Sequence, residues 1–332
     1  MAAGLPLADE LWKEVCRRAL LMNGRAEKFG EDLDAYIEFK ERCKGVKLTR
    51  ETVNFEDFLG FLDIEHYLGL RGSDTWSEDG NESQIIVKTL IGQILTERTP
   101  HIIPPVYLEF VKKLRPSDRI ITFNYDTLLE QACETVGIPF RLVPQKYLQA
   151  LESGGIVDIS DEASNEIVIL KLHGSIDWFD KKPYRLRKEQ ALRDGFADYV
   201  PDDPIFNSSQ KLQIKPLVDG QQPHDNLLRE VHRLMELKRF YTNPPFFLST
   251  PTLIAPSTAK VVYAQKFGEF WRGMGRDGGH GFRMVIIGYS LPSHDDYAQQ
   301  VIYRLVTNYQ DIPAERVDSI PLTHEELVIG EG

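Results

Sequence analysis

Apolar positions recur at helical spacing through residues 7–22, and Pro6 fits the first turn of the helix they predict. Asp9 and Glu10 near its start and Arg17 and Arg18 near its end suit the helix dipole. The same periodicity predicts helices over 26–44, 54–70, 83–97 and about 105–114. The pattern then changes to short apolar runs, which predict a buried strand at 119–123 and strands at 167–171, 252–255 and 284–287, with a further short strand at Arg141-Leu-Val. A helix is expected after Asp126, where Thr127 and Glu130 have capping-box spacing and Gly137 supplies a stop. Helices are also expected over 259–274 and 297–307, and the polar stretch 152–166 reads as a loop. Residues 180–250 differ in texture: a basic run from Lys181 to Lys188, two proline-bearing turns, and one helical stretch over 226–240.

Strands alternating with helices predict an α/β fold. The expected architecture is a Rossmann-like, mostly parallel sheet with helices on both faces, joined to a helical subregion over 26–115. Residues 180–250 read as an inserted cap on that core, and residues 1–332 as one domain. In open parallel sheets, ligand chemistry gathers at the carboxyl ends of the strands. The run 119–123 ends in Asn124 and Asp126, the run 167–171 leads to Leu172-His173-Gly174-Ser175, and the run 284–287 ends in Gly288-Tyr289-Ser290. Three strand tips of this kind suggest one shared crevice.

Composition narrows the classes. Of 332 residues, 42% are hydrophobic and 27% charged, which suits a protein with a real core. The net charge of −11 argues against direct binding to nucleic acid or an anionic membrane, since both require a cationic surface. Cys16, Cys43 and Cys133 are too few for a four-cysteine zinc site and contain no C-x-x-C pair. No run of about 18 apolar residues and no basic-then-apolar leader is present, so the default expectation is a cytoplasmic enzyme.

Each candidate residue also has a local explanation. Asn and Asp accept backbone N–H bonds at turns and helix starts, and Gly174-Ser175 alone is a turn. The functional case therefore rests on co-occurrence. Gly273-Met-Gly275-Arg-Asp-Gly278 matches the dinucleotide fingerprint in letters, but a helix is expected before it and a strand after it, the reverse of the required order. There is no nucleophile elbow, no H-E-x-x-H and no Walker loop, and the eight histidines lack metal-ligand spacing. The basic run 181–188 reads as a solvated face.

Asn124-Tyr-Asp126 after an apolar strand, then Leu172-His173-Gly174-Ser175, then Ile287-Gly288-Tyr289-Ser290-Leu291-Pro292 with Asp295 and Asp296, resembles the sirtuin-like NAD-consuming domain. Within that family the chain looks most like the zinc-free branch common in prokaryotic anti-phage systems, to which Thr252-Leu-Ile-Ala-Pro-Ser257 and Phe270-Trp271-Arg272 are also similar. The resemblance implies that Asn124 positions the nicotinamide ribose or the attacking water and that Asp126 shapes the nicotinamide pocket. It implies that His173 acts on the ribose hydroxyls or as a base. Gly174, Ser175, Gly288, Tyr289 and Ser290 would line the dinucleotide, Gly288 and Ser290 on its adenosine half.

On the same resemblance, NAD+ is expected as substrate, without zinc. The family opens with a strand and a glycine-rich phosphate loop before a Gly-Leu-Pro turn. Here Gly4-Leu5-Pro6 follows Met1 almost at once, so the first strand and loop are expected upstream of Met1. The expected activity is NAD+ glycohydrolysis to ADP-ribose and nicotinamide, as an antiviral defence effector. An NAD-dependent protein deacylase and a non-catalytic module that binds NAD or ADP-ribose are the alternatives. A homo-oligomer or a partner defence protein is expected to restrain such an enzyme, through the helices at 26–97 or the insertion at 180–250.

Overall fold

The computed structural model describes residues 4–70, 80–116, 118–142, 146–150, 156–160, 165–196, 203–206, 212–218, 227–243, 250–255, 284–287, 295–300, 302–303 and 326–329. Among the described residues, five helices come first: α1 (Ala8–Ala19), α2 (Ala26–Lys44), α3 (Phe55–Tyr67), α4 (Glu82–Arg98) and α5 (Pro105–Lys112). Their boundaries follow local chemistry. The Asn54 side chain accepts from the backbone N–H groups of Glu56 and Asp57 at the start of α3. At the start of α4, Asn81 and Gln84 form a reciprocal capping box, a device worth about 1 kcal/mol. Gly45 ends α2 in the left-handed conformation.

Helix α4 is apolar on nearly every side, with Ile85, Ile86, Val87, Leu90, Ile91, Ile94 and Leu95 buried. Such a helix belongs inside a core, and α4 packs against α1, α2 and α3, against the helix Leu237–Thr242 and against the strands Gly174–Asp180 and Pro251–Leu253. Trp12, Phe29, Tyr36 and Phe58 form the aromatic centre of the helical region, with ring centroids of Trp12 and Phe58 5.6 Å apart and those of Tyr36 and Phe58 5.5 Å apart. Two carboxylates are buried in this region. Asp32 is held by Lys28 and by the Ser83 hydroxyl at 2.6 Å. Asp63 accepts a hydrogen bond from Gln84 Nε2.

Burial pushes the Asp63 carboxyl up to about 6, against the opposing pull of Lys88 and the Gln84 bond. An acid whose folded-state pKa lies above its unfolded value binds more protons when folded. Its stabilising contribution is therefore complete below about pH 3.8 and is lost as pH rises through about 6. A shift of this size corresponds to about 3 kcal/mol. Asp63→Asn is accordingly expected to gain in Tm relative to the wild type between pH 4 and pH 7. Parallel melting curves for the two proteins over that range would contradict the assignment.

The remainder of the chain mixes sheet types. Strands β1 (Arg119–Thr122), β2 (Phe140–Arg141) and β5 (Ile167–Lys171) form a parallel sheet in the order β1-β5-β2. Helix α6 (Leu128–Val136) connects β1 to β2 and ends at Gly137, with φ of +79°. Strands β3 (Lys146–Ala150) and β4 (Ile156–Ser160) form an antiparallel hairpin. Strand β6 (Gly174–Asp180) begins two residues after β5, and helix α7 (Lys182–Arg193) follows it. Then come β7 (Ile214–Pro216), a 3₁₀ turn at Leu227–Glu230, β8 (Val231–Leu234), helix α8 (Leu237–Thr242) and β9 (Pro251–Leu253). These strands build an antiparallel sheet in the order β7-β8-β6-β9. A last antiparallel pair joins β10 (Met284–Ile287) to β11 (Glu326–Ile329).

The expected mostly parallel sheet is therefore corrected to a mixed α/β architecture: a small parallel sheet, an antiparallel sheet and an N-terminal helical region. The reason is connection length. A parallel return needs a crossover of a dozen residues or so, and only Leu172 and His173 separate β5 from β6. Two other expectations also change. The loop expected over 152–166 contains β4, and the helix expected over 226–240 is divided into a 3₁₀ turn, β8 and α8. Backbone pairing overrides helical periodicity there: Arg233 pairs with both Trp178 and Lys215. The basic run 181–188 opens α7, where Pro183 and Tyr184 are buried and Arg185 pairs with Glu189. The helix expected over 259–274, the loop Gly273 to Gly278 and the segment Phe270-Trp271-Arg272 lie outside the described residues.

Candidate functional site

Strands β1 and β5 run in register to Thr122 opposite Lys171, so their carboxyl ends deliver the chain to one place. The pairing continues one step beyond, with the Leu172 N–H donating to the Thr122 carbonyl at 3.0 Å. His173 follows and is 4% exposed. Its imidazole lies between Phe123 and Tyr125, with ring centroids 5.0 and 6.2 Å away. The segment after β1 is laced to the start of β6. The Tyr125 carbonyl accepts from the Ile176 N–H at 3.0 Å and from the Ser175 hydroxyl at 3.3 Å. Ile254 closes the other side: its N–H donates to the His173 carbonyl at 2.9 Å, and its own carbonyl accepts from the Tyr125 hydroxyl at 2.8 Å.

The imidazole pairs with Asp295. His173 Nε2 lies 2.9 Å from Asp295 Oδ2, and Asp295 is fully buried. The other carboxylate oxygen accepts from the Ala298 N–H at 3.1 Å, which fixes the acid at the start of the helical residues 296–300. A carboxylate at one ring nitrogen sets the histidine tautomer and stabilises the imidazolium once the ring takes up a proton. The Tyr125 phenol is pushed well above its ordinary pKa by burial and by the nearby carboxylates of Glu56, Asp295 and Asp63. It therefore remains a donor across the neutral range.

Asn124 and Asp126 flank Tyr125 but differ in setting. Asn124 is exposed, and its N–H donates to the Thr122 hydroxyl at 3.2 Å. Asp126 is half-buried, and Oδ1 accepts from the Leu128 N–H at 3.0 Å, which caps α6. The capping box expected between Thr127 and Glu130 does not form. Thr127 makes no side-chain cap bond, and Glu130 points instead to Lys171 Nζ at 2.8 Å. Gly174 has φ of +78°, and a Cβ placed there would lie 1.9 Å from the Thr252 carbonyl oxygen. Ser175 is fully buried. Gly174 and Ser175 thus have clear packing roles beside the imidazole. Gly288, Tyr289 and Ser290 lie outside the described residues.

The structure thus brings His173 to the segment that carries Asn124 and Asp126, across about fifty residues of sequence. It also adds groups with no role assigned from sequence: Asp295, Tyr125, and the buried pair Lys171–Glu130. A lysine closing the otherwise apolar strand Ile-Val-Ile-Leu-Lys171 was the one sequence signal for that pair. Asp295 belongs to the motif that carries the family resemblance, but nothing in the sequence links it to His173. Among the described residues, no group of three or more His, Cys, Asp or Glu is placed to hold a metal ion. No helix among them is long and apolar enough to cross a membrane.

Fold and site together describe a mixed α/β protein with a buried histidine–carboxylate pair at the carboxyl end of its parallel strands. Residues 118–209 match the family model of the SIR2-like domain. The match contains Asn124, Asp126, His173, Gly174 and Ser175, and it points to an NAD-related, sirtuin-like function. No curated protein matches the chain.

Proposed function

We propose that this chain is an NAD+ glycohydrolase of the zinc-free sirtuin-like type, acting in antiviral defence. The observation that carries the reading is the buried His173–Asp295 pair, set beside Asn124 at the ends of β1 and β5. The SIR2-like match over 118–209 supplies the ligand class. The 332 residues act as one domain on this reading, with residues 180–250 contributing β7 and β8 beside β6.

The chemistry asks for positioning more than for acid catalysis. The bond between ribose C1′ and the pyridinium nitrogen breaks with its electron pair going to nicotinamide, which leaves neutral. Water adds to C1′, and its proton passes to the His173 imidazole, whose positive charge Asp295 then stabilises. Asn124, which is exposed, orients the ribose or the water. Asp126 borders the nicotinamide, and Gly174, Ser175, Gly288, Tyr289 and Ser290 line the dinucleotide.

Incubation with NAD+, with and without an acylated peptide, tests the assignment. Loss of NAD+ with release of ADP-ribose is expected in both arms at similar rates. Loss only with peptide would identify a deacylase. No loss in either arm would leave a binding module.

A further inference from the structure

The Lys171 ammonium is 1% exposed and sits at the last position of β5. It donates to Glu130 Oε1 at 2.8 Å and to the backbone carbonyl of Asp126. One cation thereby ties together three pieces: the strand leading to His173, helix α6 through Glu130, and the end of the segment 123–126. Taking this ion pair out of water costs several kcal/mol. A methionine of similar length would occupy the space without that penalty. Stability alone does not account for a lysine here; what the charge adds is a directed grip on a carbonyl.

Resting on the NAD+ hydrolase reading, we propose that Lys171 is a positioning residue for that reaction, holding the Asp126 carbonyl so that Asn124 and Tyr125 are fixed relative to the His173 imidazole. The geometry makes the effect direct. Phe123 and Tyr125 both contact the imidazole, and the peptide that Lys171 grips is the next one along. Asn124 is exposed, and its described backbone contact is with Thr122. The placement of its amide over the ribose therefore depends on both ends of the segment being held. Small displacements of reacting groups reduce rates by as much as 10²-fold.

The test compares Glu130→Gln with the double variant Lys171→Met, Glu130→Gln. In the single variant the amide oxygen still accepts from the ammonium, which loses its counter-charge, and the protein loses some stability. The ammonium keeps its bond to the Asp126 carbonyl. Both variants are therefore assayed well below their melting temperatures. In the double variant the grip is removed without leaving an unpaired buried charge. The double variant is expected to lose about tenfold or more in kcat with KM for NAD+ within about twofold. The single variant is expected to stay within about threefold of wild type. Independently of turnover, the Cε1–H resonance of His173, assigned by its absence in His173→Ala, should move in the double variant and not in the single one.

Wild-type kcat and an unmoved resonance in a folded double variant would overturn the proposal, as would a change in KM alone. If the wild type consumes no NAD+, the hydrolase reading fails, and the resonance by itself decides whether Lys171 orders the segment. If the double variant does not fold, wild-type NMR decides: a hydrogen-bond coupling between Lys171 15Nζ and the Asp126 carbonyl carbon supports the grip, and its absence overturns it.

Discussion

Replacing His173 with alanine is expected to lower NAD+ turnover by about 10²- to 10⁴-fold, the range that positioned proton transfer contributes. The structure adds a condition to this experiment. Asp295 is fully buried against the imidazole, so His173→Ala removes the partner of a buried carboxylate. Removal of a hydrogen-bond donor from a buried acceptor costs about 1–3 kcal/mol. The variant must be assayed well below its own melting temperature. Asn124→Ala is the cleaner companion because Asn124 is exposed. Its loss is expected to be about 10²-fold, in line with removal of a single aligned polar group, with Tm unchanged. Full turnover in both variants, each verified as folded, would remove His173 and Asn124 from the chemistry.

Gly174→Ala is expected to be the most damaging single methyl in the described structure. The residue holds φ of +78°, a conformation that costs a non-glycine residue about 1–2 kcal/mol. The added Cβ would also sit 1.9 Å from the Thr252 carbonyl oxygen. A backbone atom cannot step aside as a flexible side chain does, so β9 must separate from β6 where Gly174 pairs with Leu253. Together these effects place the loss above about 4 kcal/mol. The expected result is poor soluble yield or a Tm far below wild type. A protein that melts like the wild type would show that β9 moves freely.

These two positions mark where the sequence was readable and where it was not. Helix α2 was legible to its ends, Ala26 and Lys44, because one helix period runs without interruption between clear stops. Strands β5 and β10 were legible for the equivalent reason: a short apolar run bounded by turn-forming residues. Asn124, Asp126 and His173 stand out as polar groups at strand tips, and Phe123 and Tyr125, the neighbours of Asn124, lie against the His173 ring. Strand β6 was hidden because Gly174-Ser175 has turn composition, while its strand state depends on pairing with β8 and β9. Strand β8 was hidden by the helical spacing of 226–240. Asp295 and Glu130 became visible only in three dimensions, since a carboxylate's partner is fixed by packing and not by its neighbours in sequence.

The two-residue link at Leu172–His173 has a mechanical consequence. A parallel sheet ends and an antiparallel one begins within that link, and the imidazole stands on the seam. There is no slack to absorb relative sliding, so any shear of one sheet against the other is delivered to the ring itself. A molecule that leans on β8 or β9 would therefore shift the imidazole without touching it.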